Sequence, residues 1–193
     1  MPALVLASGS PRRRELLSAA GVDFEVFAPD AEESASCALT VRELTAFNAT
    51  RKALAVARRR PEAVVLGADT LVALEGEVIG KPPDLDHARA TLRRLSGREH
   101  QVCTAVFICA AAGKKSTSFD VVTDVLFREL SDDDISAYFG KINPLDKAGA
   151  YAAQGHGSTI IREVRGSFTN VVGLPIDETL RVLRAFGIVP SPR

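Results

Sequence analysis

The sequence predicts a mixed-sheet α/β fold, and three observations carry that reading. Short apolar runs such as residues 3–8 lead into stretches with helix start and stop signals, the pattern of strand and crossover helix. Two long runs, "HQVCTAVFICA" (100–110) and "SFDVVTDVLFREL" (118–130), flank a turn around Gly113, which is hairpin rather than crossover spacing. A second hairpin is expected through "LEGEV" (74–78). With 193 residues, 46% hydrophobic and 25% charged, and no linker long enough to divide it, the chain reads as one domain over 1–193.

The elements follow in order. After the strand at 3–8, Ser10 stands where a helix N-cap belongs and Pro11 where a missing N–H does no harm. Gly21 ends that helix. "DFEVFA" (23–28) alternates as a strand does, and the polar stretch from Pro29 to Ala38 is a loop. "TVRE" at 40–43 is a capping box that opens a long helix to about Arg60. "EAVVLGADT" reads as a buried strand that ends in a carboxylate. A helix at 85–95 stops before Gly97, and another starts at Ser131. Residues 143–158 look irregular and glycine-rich; a strand at 159–164 and a helix from Pro175 to Phe186 close the chain.

The totals exclude several classes of function. Lys plus Arg (24) balances Asp plus Glu (24), so neither nucleic acid nor a membrane surface is advertised as partner. No apolar run approaches the length of a membrane span, and "MPALVLAS" lacks the regions of a signal peptide. Cys37, Cys103 and Cys109 are odd in number and form no CxxC, which fits a reducing compartment; the expected location is the cytoplasm. His87, His100 and His156 lack metal-ligand spacing. Walker A, Rossmann and nucleophile-elbow motifs are absent.

Chemistry gathers at a few places. "SGSPRRR" puts Arg12, Arg13 and Arg14 in the first turn of a helix, where the macrodipole disfavours cations. An anion bound at that N-terminus would explain them, with forked donors suited to phosphate oxygens; a solvated arginine turn is the alternative. Asp69 of "LGADT" is placed to hold a divalent metal or orient water, or merely to cap a turn. Asn48 and Lys52 fall on the inward arc of their helix with Leu44 and Val56. Buried there they need partners, of which a substrate phosphate is one; the other reading is a lysine that reaches out to the rim. Lys81 follows the hairpin before Pro82, and Glu32 and Glu33 lie in the polar loop. Cations for oxygens and carboxylates for metal and water are what polyphosphate chemistry needs.

"LASGSPRRRELL", "LGADTLV", "GKP", "LSGREHQVCTAV", "PLDKAGAYAAQG" and "GSFTNVVGLP" resemble, in order, the signature blocks of the Maf family, from the first residues to about residue 180. The resemblance implies an elongated mixed sheet with flanking helices, in two lobes around a central cleft. It implies a nucleoside triphosphate pyrophosphatase that yields a nucleoside monophosphate and pyrophosphate with a divalent cation, Mg²⁺ or Mn²⁺. It also allows a homodimer and a role in clearing non-standard nucleotides. Matched position by position, Asp69 is the general base, and Ser10, Arg12, Arg13, Lys52 and Lys81 belong to the substrate site. Glu33 joins Asp69 at the metal.

Arg12, Thr70 and Gln154 match the branch that acts on dTTP and UTP, and a Gln amide offers a donor and an acceptor to an imide edge. "YAAQG" departs from the family's YGIQG by placing Ala152 at a glycine position, and "FNATRKA" departs in the block before Lys52. Two rival readings stay open: an enzyme for 7-methyl-GTP or another modified nucleotide, and a non-catalytic nucleotide sensor tied to cell division.

Overall fold

The computed structural model describes residues 3–29, 34, 36, 38–110 and 114–191. Among them seven strands form one mixed sheet in the order β2-β1-β3-β5-β6-β7, with β4 also on β3. β1 (Leu4–Leu6) is parallel to both β2 (Glu25–Val26) and β3 (Val64–Leu74). β4 (Glu77–Ile79) folds back on β3. The turn between them places Glu75 at φ 53° and Gly76 at φ 84°, the left-handed pair of a tight two-residue hairpin. β5 (Glu99–Ala110), β6 (Lys115–Phe127) and β7 (Ile161–Arg165) continue antiparallel.

α1 (Pro11–Ala19) starts with Pro11 at N1, and Ser10 holds the N-cap position without a side-chain capping bond. It ends in a Schellman motif: Gly21 at φ 73° donates to the Ser18 carbonyl, and Val22 N–H to that of Leu17. α2 (Val41–Ala57) opens with the expected capping box of Thr40 and Glu43. It stops short of the expected Arg60 because Pro61 disfavours helical geometry in the residue before it. α3 (Leu85–Leu95) and α4 (Asp132–Phe139) are capped by Asp84 and Ser131. α5 (Phe168–Val172) was not expected, and α6 (Ile176–Ala185) was.

Side-chain parity along β3 sorts three apolar cores. Val65 faces α2, with Ala53, Val56 and Cys109. Leu66 and Ala68 face the opposite side and pack with Leu17 of α1 and Leu183 of α6. Further along that second face, Val72 and Leu74 join Leu92 of α3, Phe127, Tyr138 and Tyr151 in a separate cluster. The three long strands β3, β5 and β6 contribute to both clusters of that second face.

Two strand expectations are corrected. Asp69 does not end its strand: β5 pairs with β3 from Val65 to Ala73, so the carboxylate stands mid-ladder. The second long strand is Lys115–Phe127 rather than 118–130, because its pairing with β5 begins at Ala110↔Lys115 and its pairing with β7 is broken between Leu126 and Phe127. The expected turn at Gly113 lies outside the described residues. No described helix is long and apolar enough to cross a membrane.

Candidate active site

One edge of β3 carries two different strands. β1 pairs with it over Val64–Leu66, and β4 over Val72–Leu74. Between them the edge from Gly67 to Leu71 faces a break in the sheet, and the cleft opens there. Its cavity measures about 550 Å³. Ser10, Arg12 and Arg13 line it from the start of α1, with Lys52 from α2 and Asp69 and Thr70 from β3. Lys81 from the loop after β4 and Gln154 from the irregular segment complete the set. Glu33 lies outside the described residues.

Asp69 is 3% exposed and held from α2. Lys52 Nζ lies 2.7 Å from its Oδ1, and Asn48 Nδ2 lies 3.3 Å from its Oδ2. Lys52 is 9% exposed, so it turns inward to a carboxylate instead of reaching the rim. The one-turn spacing of Asn48 and Lys52 puts one donor on each carboxylate oxygen. Asn48 also exchanges two bonds with the main chain of Ser34, at 2.8 and 3.2 Å.

Gly67 allows α2 to come this close. A Cβ there would stand 2.5 Å from the Ala49 carbonyl oxygen and 2.8 Å from the Ala53 Cβ. A glycine at this point is therefore part of how Lys52 and Asn48 reach Asp69.

The three arginines of α1 separate. Arg14 is exposed, Arg12 is half-buried at the cavity wall, and Arg13 is buried. Arg13 donates Nε to the Gly173 carbonyl at 2.8 Å, Nη1 to Ser8 Oγ at 3.0 Å and Nη2 to Thr70 Oγ1 at 3.0 Å. It ties α1, β3 and the end of α5 together while it keeps a positive charge in the wall.

The far wall is the segment from Asp146 to Gln154. Lys147 Nζ bonds the Asn143 carbonyl at 2.8 Å and Asp146 Oδ1 at 2.5 Å. Burial pushes the Asp146 carboxyl up, but the Lys147 hydrogen bond and the charges of Lys147 and Arg12 outweigh it, and its pKa falls below the ordinary value. Gly149 N–H donates to the Gly80 carbonyl, which joins this segment to the loop that carries Lys81. Tyr138 Oη donates to the Ala152 carbonyl and accepts from its N–H, two residues before Gln154. Ala152 is not among the described non-glycine residues with positive φ, which are Glu75 and Ala150, so its backbone does not demand the family's glycine.

Sequence reasoning missed Ser8, Asp146, Lys147 and Tyr151 as cavity residues. It noted Asn48 by spacing but assigned it no carboxylate. Among the described residues no group of three or more His, Cys, Asp or Glu could hold a metal by itself.

A buried carboxylate paired with a lysine, set in the break of a mixed sheet and facing a cavity that the basic start of a helix also lines, defines an α/β protein with a charged crevice. The family model described as "Maf-like protein" matches residues 3–186, and the chain belongs to that family. A dTTP/UTP pyrophosphatase of Akkermansia muciniphila is 48% identical over 187 residues, with 97% of this chain and 98% of that one covered. A dTTP/UTP pyrophosphatase of Escherichia coli is 46% identical over 194 residues, with 100% and 98% covered. The solved structure of the Staphylococcus aureus Ham1 protein is similar at a TM-score of 0.45 and 17% identity, over 66% of this chain and 72% of that one.

Proposed function

We propose that this chain hydrolyses dTTP and UTP at the α–β phosphoanhydride, releasing the nucleoside monophosphate and pyrophosphate. The observation that carries this reading is the convergence of Arg12, Lys52, Asp69 and Lys81, from four separate segments, on one cavity that also holds Thr70 and Gln154. Its relatives' names point the same way.

In this reading a water oxygen attacks the α-phosphorus and gives its proton to Asp69. The bond to the bridging oxygen breaks, and the electron pair leaves with pyrophosphate. Lys52 and Asn48 keep the Asp69 carboxylate oriented toward that water. Arg12 and Lys81 hold the β and γ phosphates and offset the charge that builds on the leaving group. Arg13 adds charge from the wall while it stays bonded to Ser8, Thr70 and Gly173. Gln154 and Thr70 meet the base.

The residues suit a divalent cation of the Mg²⁺ or Mn²⁺ kind. Hard cations of this size are commonly held by one or two carboxylates plus substrate phosphates, and a cavity with Asp69 but no three-ligand cluster among the described residues fits that mode. Asp69 and Glu33 would hold it, and the ion would supply charge neutralisation at the phosphates. The proposed setting is the cytoplasmic nucleotide pool.

The test is a panel of nucleoside triphosphates with pyrophosphate detection in the presence of Mg²⁺. Rapid release from dTTP and UTP is expected, with 7-methyl-GTP slower by about tenfold or more. Tight dTTP binding without turnover would overturn the reading in favour of a sensor.

A further inference from the structure

We propose that Thr104 and Asn170 fix the hydroxyl of Thr70 as a pure hydrogen-bond acceptor toward the cavity, which selects a nucleoside that donates a proton there. This rests on the pyrimidine triphosphate reading above and adds a positioning residue that lies outside the cavity wall.

The argument is one of counting protons. A threonine hydroxyl has one proton to give and two lone pairs. Thr70 Oγ1 receives a proton from Arg13 Nη2 at 3.0 Å, since a guanidinium only donates. Its next neighbour is Thr104 Oγ1 at 2.9 Å, directly across the ladder in the Thr70↔Thr104 pair. Thr104 in turn lies 3.1 Å from the Asn170 carbonyl oxygen, which only accepts. The single proton of Thr104 is therefore spent on Asn170, and in the contact between the two threonines Thr70 must be the donor. The other oxygen within reach of Thr70 is the Gly173 carbonyl, at 3.4 Å and already bonded by Arg13 Nε at 2.8 Å, so the 2.9 Å contact with Thr104 takes the Thr70 proton. That proton goes to protein and not to the ligand, and one lone pair remains on a residue that lines the cavity.

The chain of bonds is held rigidly. Asn170 is 0% exposed, and its Nδ2 donates to the Val102 carbonyl and to Thr123 Oγ1, both at 3.0 Å. Thr123 Oγ1 is itself locked by both main-chain groups of Ser167. Thr104 and Thr123 are also fully buried, so the polarity of Thr70 is set by groups that water does not reach.

The ligand group this favours is a hydrogen-bond donor on the nucleoside. The imide N3–H of uracil or thymine supplies one, whereas cytosine has an acceptor at that ring position. A sugar hydroxyl is the other source, and the substrates below separate the two.

The experiment compares wild type, Thr104→Val and Thr104→Ser on UTP, 3-methyl-UTP and 3′-deoxy-UTP, with kcat and KM read separately. Calorimetric binding of the same nucleotides to each variant is measured alongside. Wild type is expected to prefer UTP to 3-methyl-UTP by about tenfold. Thr104→Val should raise KM for UTP by about tenfold with kcat within about twofold, and should collapse that preference. Thr104→Ser, which keeps the hydroxyl, should restore it. Equal affinity of wild type for UTP and 3-methyl-UTP overturns the proposal, whether or not the valine variant folds. So does a loss confined to 3′-deoxy-UTP, which would assign Thr70 to the sugar, or a Thr104→Val enzyme with unchanged preference. The calorimetric preference decides this point even if turnover is absent, an outcome that would instead sink the pyrophosphatase reading.

Discussion

Lys52 and Asp69, 17 residues apart in sequence, meet as a 2.7 Å ion pair with side chains only 11% and 5% exposed. The pair joins the middle of a helix to the middle of a strand. It also places the proposed base and a cation side by side at the wall of the cleft.

Asp69→Asn tests the base. The amide is isosteric but cannot accept the water proton, so kcat for pyrophosphate release from dTTP should fall by about 10³-fold. Retention of full activity in a pyrophosphate assay would remove Asp69 from the mechanism.

Lys52→Met asks a different question, because it leaves a nearly buried carboxylate with Asn48 but without its cation. Breaking such a pair from one side costs about 3–5 kcal/mol. A urea titration should show a loss near the lower end of that range, and kcat should drop along with it. Unchanged stability would mean that solvent or another group compensates fully.

Gly67→Ala probes the close approach of α2 to β3. The new methyl would meet the Ala49 carbonyl and Ala53, both backbone or short side chain that cannot swing aside. The helix must shift, at about 1–3 kcal/mol. Because α2 carries Lys52 and Asn48, the expected result is a lower melting temperature together with weakened activity. A fully active, fully stable variant would contradict the packing.

His100 predicts a pH dependence. It is buried in β5 with Nε2 2.9 Å from Tyr151 Oη, and burial lowers its pKa from 6.5 to about 4. The unfolded chain therefore takes up a proton that the folded chain resists. The stabilisation is whole above pH 6.5 and is lost as pH falls toward 4, approaching roughly 3 kcal/mol. Urea midpoints measured across that interval should fall more steeply for wild type than for His100→Gln, which cannot titrate. Parallel slopes would show that His100 is not the group responsible.

Gln154→Glu tests base selection on the far wall. Replacing a donor–acceptor amide with an acceptor-only carboxylate should lower kcat/KM for dTTP by about tenfold and shift preference toward 7-methyl-GTP. An unchanged ratio of the two substrates would take Gln154 out of base recognition.

Much of this architecture is readable in the chain because its signals are local. The capping box at Thr40, the Gly76 turn and the glycine stop at Gly21 all act within a few residues. α5 was not readable for the opposite reason. Five residues are too few to hold a helix by themselves, and this one is held by tertiary contacts, the Asn170 side chain bonding to β5 and β6. The site divides the same way. Residue types pointed to phosphate chemistry, and of the residues so chosen Arg12, Arg13, Lys52, Asp69 and Lys81 line the cavity, whereas Arg14 is exposed and Asn48 is not part of its lining. That Lys52 would find Asp69 depends on how α2 lies across β3, for which spacing along one helix carries no information. Asp69 looked like a strand end because the apolar run stops there, yet the ladder with β5 continues through it.

The break along β3 lies between two strands that grip the same edge, while β3, β5 and β6 pass unbroken behind it. Those continuous strands contribute to the apolar clusters on either side of the cleft and tie them into one sheet. In the proposed function a nucleotide then meets a crevice backed by hydrogen-bonded strands. Discrimination in such a crevice rests on which donors and acceptors a visitor presents at the moment of entry.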